Sequence, residues 1–222
     1  MAEHITEAYR AEFALTGEAL TPAVIRVGHH ETPVWIQQRW PKGAFASYIR
    51  NNGCGHCCTA MAARLHGVMI DPYSEYEHCR RLWGAPSAKQ GHWLTTAGIV
   101  KVLKSFGVPA QGFGVAQFGT KKATEQILSA LEAGKQVIFT STPDRYPDNP
   151  FSTGYHWVMA VSVQENGTVL IANSSEKVTA EGIQFVTPDR IEKALFDDAV
   201  APEDMTWGEP DRIHEGSGFI IV

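Results

Sequence analysis

No apolar run in this chain approaches the roughly 18 residues that a membrane-spanning helix needs, and no basic run exceeds two residues. The first absence excludes a helical membrane protein. The second, with a formal charge of −5, excludes the concentrated basic surface that nucleic-acid binding requires. The N-terminal residues Met1–Glu7 are polar and acidic. They lack the cationic-then-apolar order of a secretory leader, unless one has been removed. There is no internal repeat, no low-complexity linker and no Gly-x-x-x-x-Gly-Lys-Ser/Thr phosphate loop. Cysteine is scarce too. Three of the four, Cys54, Cys57 and Cys58, crowd into five residues and only Cys79 stands apart, a poor disulfide framework that points to a reducing, cytoplasmic compartment.

What remains is the composition of an ordinary folded protein: 222 residues, 44% hydrophobic and 19% charged, with a mean hydropathy of −0.17. That length suffices for one large domain with a real core. Apolar spacing predicts helices over 3–15, from Cys54 to about Leu65, 74–82, 97–106 (capped by Thr95 or Thr96), 124–131 and 188–195. Gly67, Gly107 and Gly134 stand where C′ glycines end three of them. β-rich runs cover 136–140, 156–163, 168–172 and 218–222. Residues 16–50 read as irregular apart from a short strand at 34–38, and the proline-bearing 141–151 as a loop beside His156, where a mobile active-site segment fits. Helices come first and antiparallel-looking strands second, which is an α+β arrangement. We expect one domain over 1–222: an N-terminal helix and irregular extension (1–50), a helical half (51–135) and a sheet half (136–222).

The chemistry concentrates at Asn51-Asn52-Gly53-Cys54-Gly55-His56-Cys57-Cys58. Cys54 follows a glycine-containing turn and opens a helix, whose positive dipole end favours thiolate over thiol. His156 begins a strand about a hundred residues later, and Asn173 follows another. Cys, His and Asn in that order is the constellation of a thiol hydrolase. Other readings compete. Cys54-x-x-Cys57 has the spacing of a redox dithiol, but polar, turn-like residues precede it instead of a buried strand. A zinc site would need a second ligand pair, which neither the later sequence nor the isolated His29-His30 supplies. Taken alone, His156 reads as a structural histidine, Asn173 as a turn residue and Gln37 and Gln38 as solvated or loop-pinning. His92 carries no role. Trp93, Trp157 and Trp207 read as core or cleft wall, and the acidic pairs Asp197-Asp198 and Glu203-Asp204 as solvated charge.

Gly53-Cys54-Gly55 with Ala60-Met61 resembles the nucleophile motif Cys-Gly-Pro-x-x-x-Ala-Met of the double-glycine leader peptidase-like family (peptidase family 39 and its relatives). Gly154-Tyr155-His156-Trp157 followed by Val169–Asn173 resembles that family's base motif, and Trp93–Val108 its mid-chain helix, so the likeness spans roughly residues 50 to 176. It implies a papain-like fold and a Cys54–His156–Asn173 triad acting through an acyl-enzyme on a peptide or small amide. No metal or organic cofactor is implied. Two positions depart from the pattern: His56 stands in place of proline, and Tyr48 in place of the glutamine expected about six residues before the nucleophile. Gln38, or Gln37 as its alternative, is then the candidate oxyanion donor beside the backbone N–H of Cys54. The register to Ala60-Met61 and the place at the helix tip favour Cys54 over Cys57 as nucleophile. Cys57 and Cys58, one turn on, read as buried small residues.

A four-residue hairpin loop at 164–167, turned by Asn166-Gly167, pairs Val158 with Asn173 and puts His156 and Asn173 on one face; an odd-numbered loop breaks that pairing. The mechanism that follows is a Cys54 thiolate–His156 imidazolium pair, with Asn173 holding the second ring nitrogen. Acyl transfer of the phytochelatin synthase type, thiol–disulfide exchange through Cys54 and Cys57, and a catalytically inactive peptide-binding module are the alternatives. Substrate identity and oligomeric state are not legible.

Overall fold

In a computed structural model the described residues are 23–37, 51–83, 95–141, 149–152, 155–175, 182–195 and 217–222. The expected helix over 3–15 lies outside them, as do Gln38, Tyr48, His92, Trp93, Trp207, both acidic pairs and residues 142–148 of the loop. The elements in chain order are β1 (Val24–Val27), β2 (His30–Pro33), α1 (Cys54–Leu65), α2 (Pro72–Trp83), α3 (Thr96–Ser105), β3 (Gln111–Gly114), α4 (Thr120–Glu132), β4 (Val137–Ser141), β5 (His156–Val163), β6 (Val169–Ala172), β7 (Ile183–Val186), α5 (Pro188–Ala194) and β8 (Gly218–Ile221). The mixture of helix with antiparallel sheet makes the fold α+β. Among the described residues no helix is long and apolar enough to cross a membrane.

The helices start and stop for the local reasons the sequence carries. The Thr95 side chain accepts from Gly98 N and caps α3. Gly67, Gly107 and Gly134 adopt φ of +84°, +78° and +78° just past α1, α3 and α4, the left-handed turn that lets a helix end. Expectation fails in three stretches. Over its described residues, 34–37, the predicted strand at 34–38 is instead a buried irregular segment, and the strands lie upstream as the β1–β2 hairpin. His30 consequently belongs to a strand, not a loop. Strands β3 and β7 were not foreseen; each is four residues long, and glycine at two of the four positions of β3 hides any alternation.

Six strands form one antiparallel sheet in the order β3-β8-β4-β5-β6-β7, so β3, from the stretch expected to be helical, closes one edge by pairing with β8. The strands of its centre are buried on both faces. Trp157, Met159 and Val161 of β5 pack with α1, α3 and the β1–β2 hairpin in one core. Val158 and Ala160 pack with α4 and α5 in another. The molecule is thus layered helix, sheet, helix, with β5 central.

Helix α1 is buried along all twelve of its residues. A helix enclosed all round needs small or apolar side chains on every face, and Cys57, Cys58, Ala60, Ala62 and Ala63 meet that demand. Two of its polar members make side-chain contacts, although Arg64 Nε and Nη1 are buried without a hydrogen-bond partner among the described residues. The Thr59 hydroxyl donates to the Gly55 carbonyl at 2.7 Å, and the Arg64 guanidinium lies 5.8 Å from the Trp35 ring centre.

Gly182 links the fold to the site. Its φ is +79°, and a Cβ there would stand 2.7 Å from Val34 Cγ1 and 3.0 Å from Ile36 Cδ1, while its carbonyl accepts from Asn173 N at 2.7 Å. Replacement Gly182→Ala is therefore expected to destabilise the protein by about 1–3 kcal/mol. Urea denaturation with an unchanged m-value measures this; unaltered stability would contradict the packing described.

Candidate active site

His156 is the first residue of β5 and Asn173 the first after β6. The loop between β5 and β6 has five residues, since Val163 pairs with Val169, not the four expected. An odd loop alone would have parted the two side chains. A β-bulge restores the register: pairing shifts between Ala160 and Ser162, leaving Val161 as the extra residue, and Met159 then faces Ala172. Continued by one step, that pairing sets Val158 opposite Asn173, as the sequence reading required. Gly167 supplies the positive φ of +80°. Asn166 instead accepts from the N–H and hydroxyl of Thr168 at 3.1 and 2.7 Å.

The His156 and Asn173 side chains meet directly. His156 Nε2 lies 2.9 Å from Asn173 Oδ1. Which amide atom faces the ring is fixed by the other end: Asn173 Nδ2 donates to the Phe151 carbonyl and to Gln184 Oε1, both at 2.8 Å. A backbone carbonyl can only accept, so Oδ1 must face the ring and Nε2 must carry the hydrogen. Gln184 is oriented in the same way, its Nε2 donating to the Pro150 carbonyl at 2.7 Å. Oδ1 also accepts from Ser175 N at 2.9 Å. The amide thus has four partners, and the tautomer it imposes leaves His156 Nδ1 as the basic nitrogen. Among the described residues Nδ1 has no hydrogen-bond partner.

The ring is buried, with 3% of its surface exposed. Burial disfavours the charged form and pushes the His156 pKa down to about 4; the Asn173 bond opposes this more weakly. At neutral pH His156 is therefore an uncharged base.

Asn173 and Ser174 leave β6 with side chains on opposite faces of the sheet. Asn173 turns to His156, while the Ser174 hydroxyl lies beside the Cys57 thiol on the α1 side and donates to Gln37 Oε1 at 3.3 Å. Gln37 N in turn donates to the Ser174 carbonyl at 2.9 Å. The histidine and the first turn of α1 are by this means each tied to one of two adjacent residues at one end of the sheet, from its opposite faces. Gln37 is buried there, whereas Gln38 lies outside the described residues.

All four cysteines are free thiols. Cys57, Cys58 and Cys79 are 0% exposed and Cys54 7%. Burial holds the Cys57 and Cys58 thiols well above the ordinary range; charge on Cys54 and Glu75 adds to it at Cys57, against the Ser174 hydroxyl. Cys54 alone joins some exposure to a place at a helix start.

A cavity of about 320 Å³ lies elsewhere, between α3 and β3, lined by Thr96, Val100, Gly112 and Phe113 among others; none of its lining residues belongs to this constellation.

Sequence reasoning missed Ser174, Gln184 and the carbonyls of Pro150 and Phe151. Ser174 was adjacent to a named candidate and could have been found by alternation. Gln184 required knowledge of β7. The loop end at 149–152, expected to be mobile, is pinned: Phe151 is fully buried and its N–H donates to Asn149 Oδ1 at 2.8 Å.

No protein-family model and no curated protein matches the chain.

Because unfolded histidine titrates near 6.5 and native His156 near 4, the unfolded chain binds the extra proton first. The native state keeps its full advantage above pH 6.5 and loses it as pH falls toward 4, by on the order of 3 kcal/mol. Denaturation at pH 7.5 and 4.5 should show wild type losing that much more stability than His156→Gln. Parallel losses would mean that His156 does not titrate as its burial requires.

Proposed function

We propose that this protein is a cysteine peptidase or related amide-bond hydrolase of papain-like architecture, similar to the double-glycine leader peptidase-like group. The observation that carries the reading is the amide of Asn173, which presents its oxygen to His156 Nε2 and so leaves Nδ1 to receive a proton. The tie from Ser174 to Cys57 supports it by holding the α1 tip at the same end of the sheet.

The residues take these roles. Cys54, the first residue of α1, gives its proton to His156 Nδ1 and attacks the substrate carbonyl, forming a carbon–sulfur bond. Burial keeps His156 neutral at rest, so the imidazolium arises only as the proton leaves Cys54; this replaces the standing ion pair expected from sequence. Asn173 accepts from Nε2–H and stabilises the cation as it forms. The oxyanion meets the N–H groups of the helix start and the Gln37 amide, whose Oε1 is anchored on Ser174. Gln37 is thereby the donor we assign, ahead of Gln38. His156 then protonates the leaving amine, the carbon–nitrogen bond breaks, and water resolves the thioester. An amine or thiol in place of that water gives acyl transfer by the same steps. Disulfide exchange fits less well, because Cys57 is fully buried and held protonated.

In a fluorogenic peptide screen, Cys54→Ala should abolish turnover, and Asn173→Ala should lower kcat/KM by roughly 10²–10⁴-fold, the range for impaired general-base catalysis. The acid limb of kcat/KM should fall near pH 4, not 6.5. Iodoacetamide at neutral pH should alkylate Cys54 in wild type and far more slowly in His156→Ala. Labelling at Cys57, or labelling indifferent to His156, would overturn the assignment.

A further inference from the structure

A second polar cluster lies behind the candidate nucleophile, on the face of α1 turned to α2. His56 Nδ1 is hydrogen-bonded to Glu75 Oε2, and the Cys79 thiol donates to Glu75 Oε1 at 3.2 Å. The exposures are 1%, 2% and 0%. The buried stripe of α2 is Pro72, Glu75, Tyr76 and Cys79, so the helix places a carboxylate and a thiol, one turn apart, where an apolar contact would normally lie. Removing a carboxylate from water is costly unless something compensates it. His56 accounts for one carboxylate oxygen. It does not account for a thiol directed at the other, since a buried thiol needs no partner.

We infer that His56, Glu75 and Cys79 form a divalent transition-metal site, best suited to Zn²⁺, that ties α1 to α2. The donor atoms all lie within 4.8 Å of one another. At zinc–ligand lengths of about 2.0–2.3 Å, donors of a tetrahedral site stand roughly 3.3–3.8 Å apart, so small side-chain movements bring them to a common centre. One nitrogen, one oxygen and one sulfur exclude Mg²⁺ and Ca²⁺, which take oxygen ligands, and match the borderline-soft zinc ion. Charge balances as well: a carboxylate and a thiolate neutralise the divalent ion, and neutral imidazole supplies the third bond. As the zinc–sulfur bond forms, the Cys79 S–H bond breaks and its proton goes to solvent. The proton between His56 Nδ1 and Glu75 likewise leaves to solvent as zinc takes that nitrogen, and the ring keeps its one hydrogen on Nε2. Sequence reading missed this set because it sought paired Cys-x-x-Cys ligands, while these come singly from one helix and as i,i+4 from the next.

The inference stands whether or not Cys54 is a nucleophile. Untagged, chelator-treated full-length protein titrated with Co²⁺ should take up one equivalent, show a thiolate-to-cobalt charge-transfer band, and lose that band on adding Zn²⁺. The band should persist in Cys54→Ala and vanish in Cys79→Ser. X-ray absorption of the zinc-loaded wild type should find one sulfur ligand with nitrogen and oxygen for the rest, a readout that needs no variant to fold. Absence of the band, a band that survives Cys79→Ser, or two or more sulfur ligands would each overturn the site.

Discussion

The candidate site rests on the side-chain amide of Asn173, fully buried and bonded at both ends. Its two N–H groups go to a carbonyl of the 149–152 segment and to Gln184 on β7; its oxygen takes the His156 ring and the N–H of Ser175. Removing any acceptor would leave a buried donor unsatisfied, at a cost of about 1–3 kcal/mol. The network therefore specifies one ring orientation and one tautomer. A histidine at the end of a strand would otherwise be free to rotate or to accept at either nitrogen. Burial settles its charge and the amide settles its hydrogen, two separate controls on one base.

Asn173 and Ser174 also join the two layers that meet here. Alternation along an extended strand sends consecutive side chains to opposite faces, so adjacent residues reach the histidine on one side and the cysteine helix on the other. No long loop has to be ordered to tie the histidine and the first turn of α1 to neighbouring residues of one strand end, and little conformational entropy is lost in holding them. This economy depends on register. One residue of slip in β6 would exchange the partners of Asn173 and Ser174, and the bulge at Val161 prevents that slip in a hairpin whose loop has the other parity.

Much of this could be read from the chain because the signals were local. Glycine stops and a threonine cap fixed α1 and α3, and the apolar run from His156 to Val163 gave β5 its observed bounds. The pairing of Val158 with Asn173 was reached from a four-residue loop, whereas the real loop has five and the bulge restores the count. Nothing in Ala160-Val161-Ser162 marks a bulge, since the distortion answers to packing on both faces of the sheet. Strands β3 and β7 escaped notice because four residues carry too little alternation. Gln184 and the choice of Gln37 required tertiary neighbours that lie 11 to 137 residues away in sequence.

Helix α1 bears on both the catalytic proposal and the metal proposal, and its composition shows how they coexist. A helix buried on every side cannot rely on solvent to satisfy polar groups, so partners reaching in from neighbouring elements carry weight. Cys57 is matched by Ser174 from the sheet and His56 by Glu75 from α2, on different sides of the same first turn. These two contacts fix the rotation of that turn about the helix axis, and with it the direction in which Cys54 leaves the backbone. An apolar interface would hold the helix against its neighbours at similar stability, but apolar contacts tolerate sliding and rotation far better than a hydrogen-bonded carboxylate does. The polar residues at the start of α1 are best understood as groups that orient the sulfur at its tip.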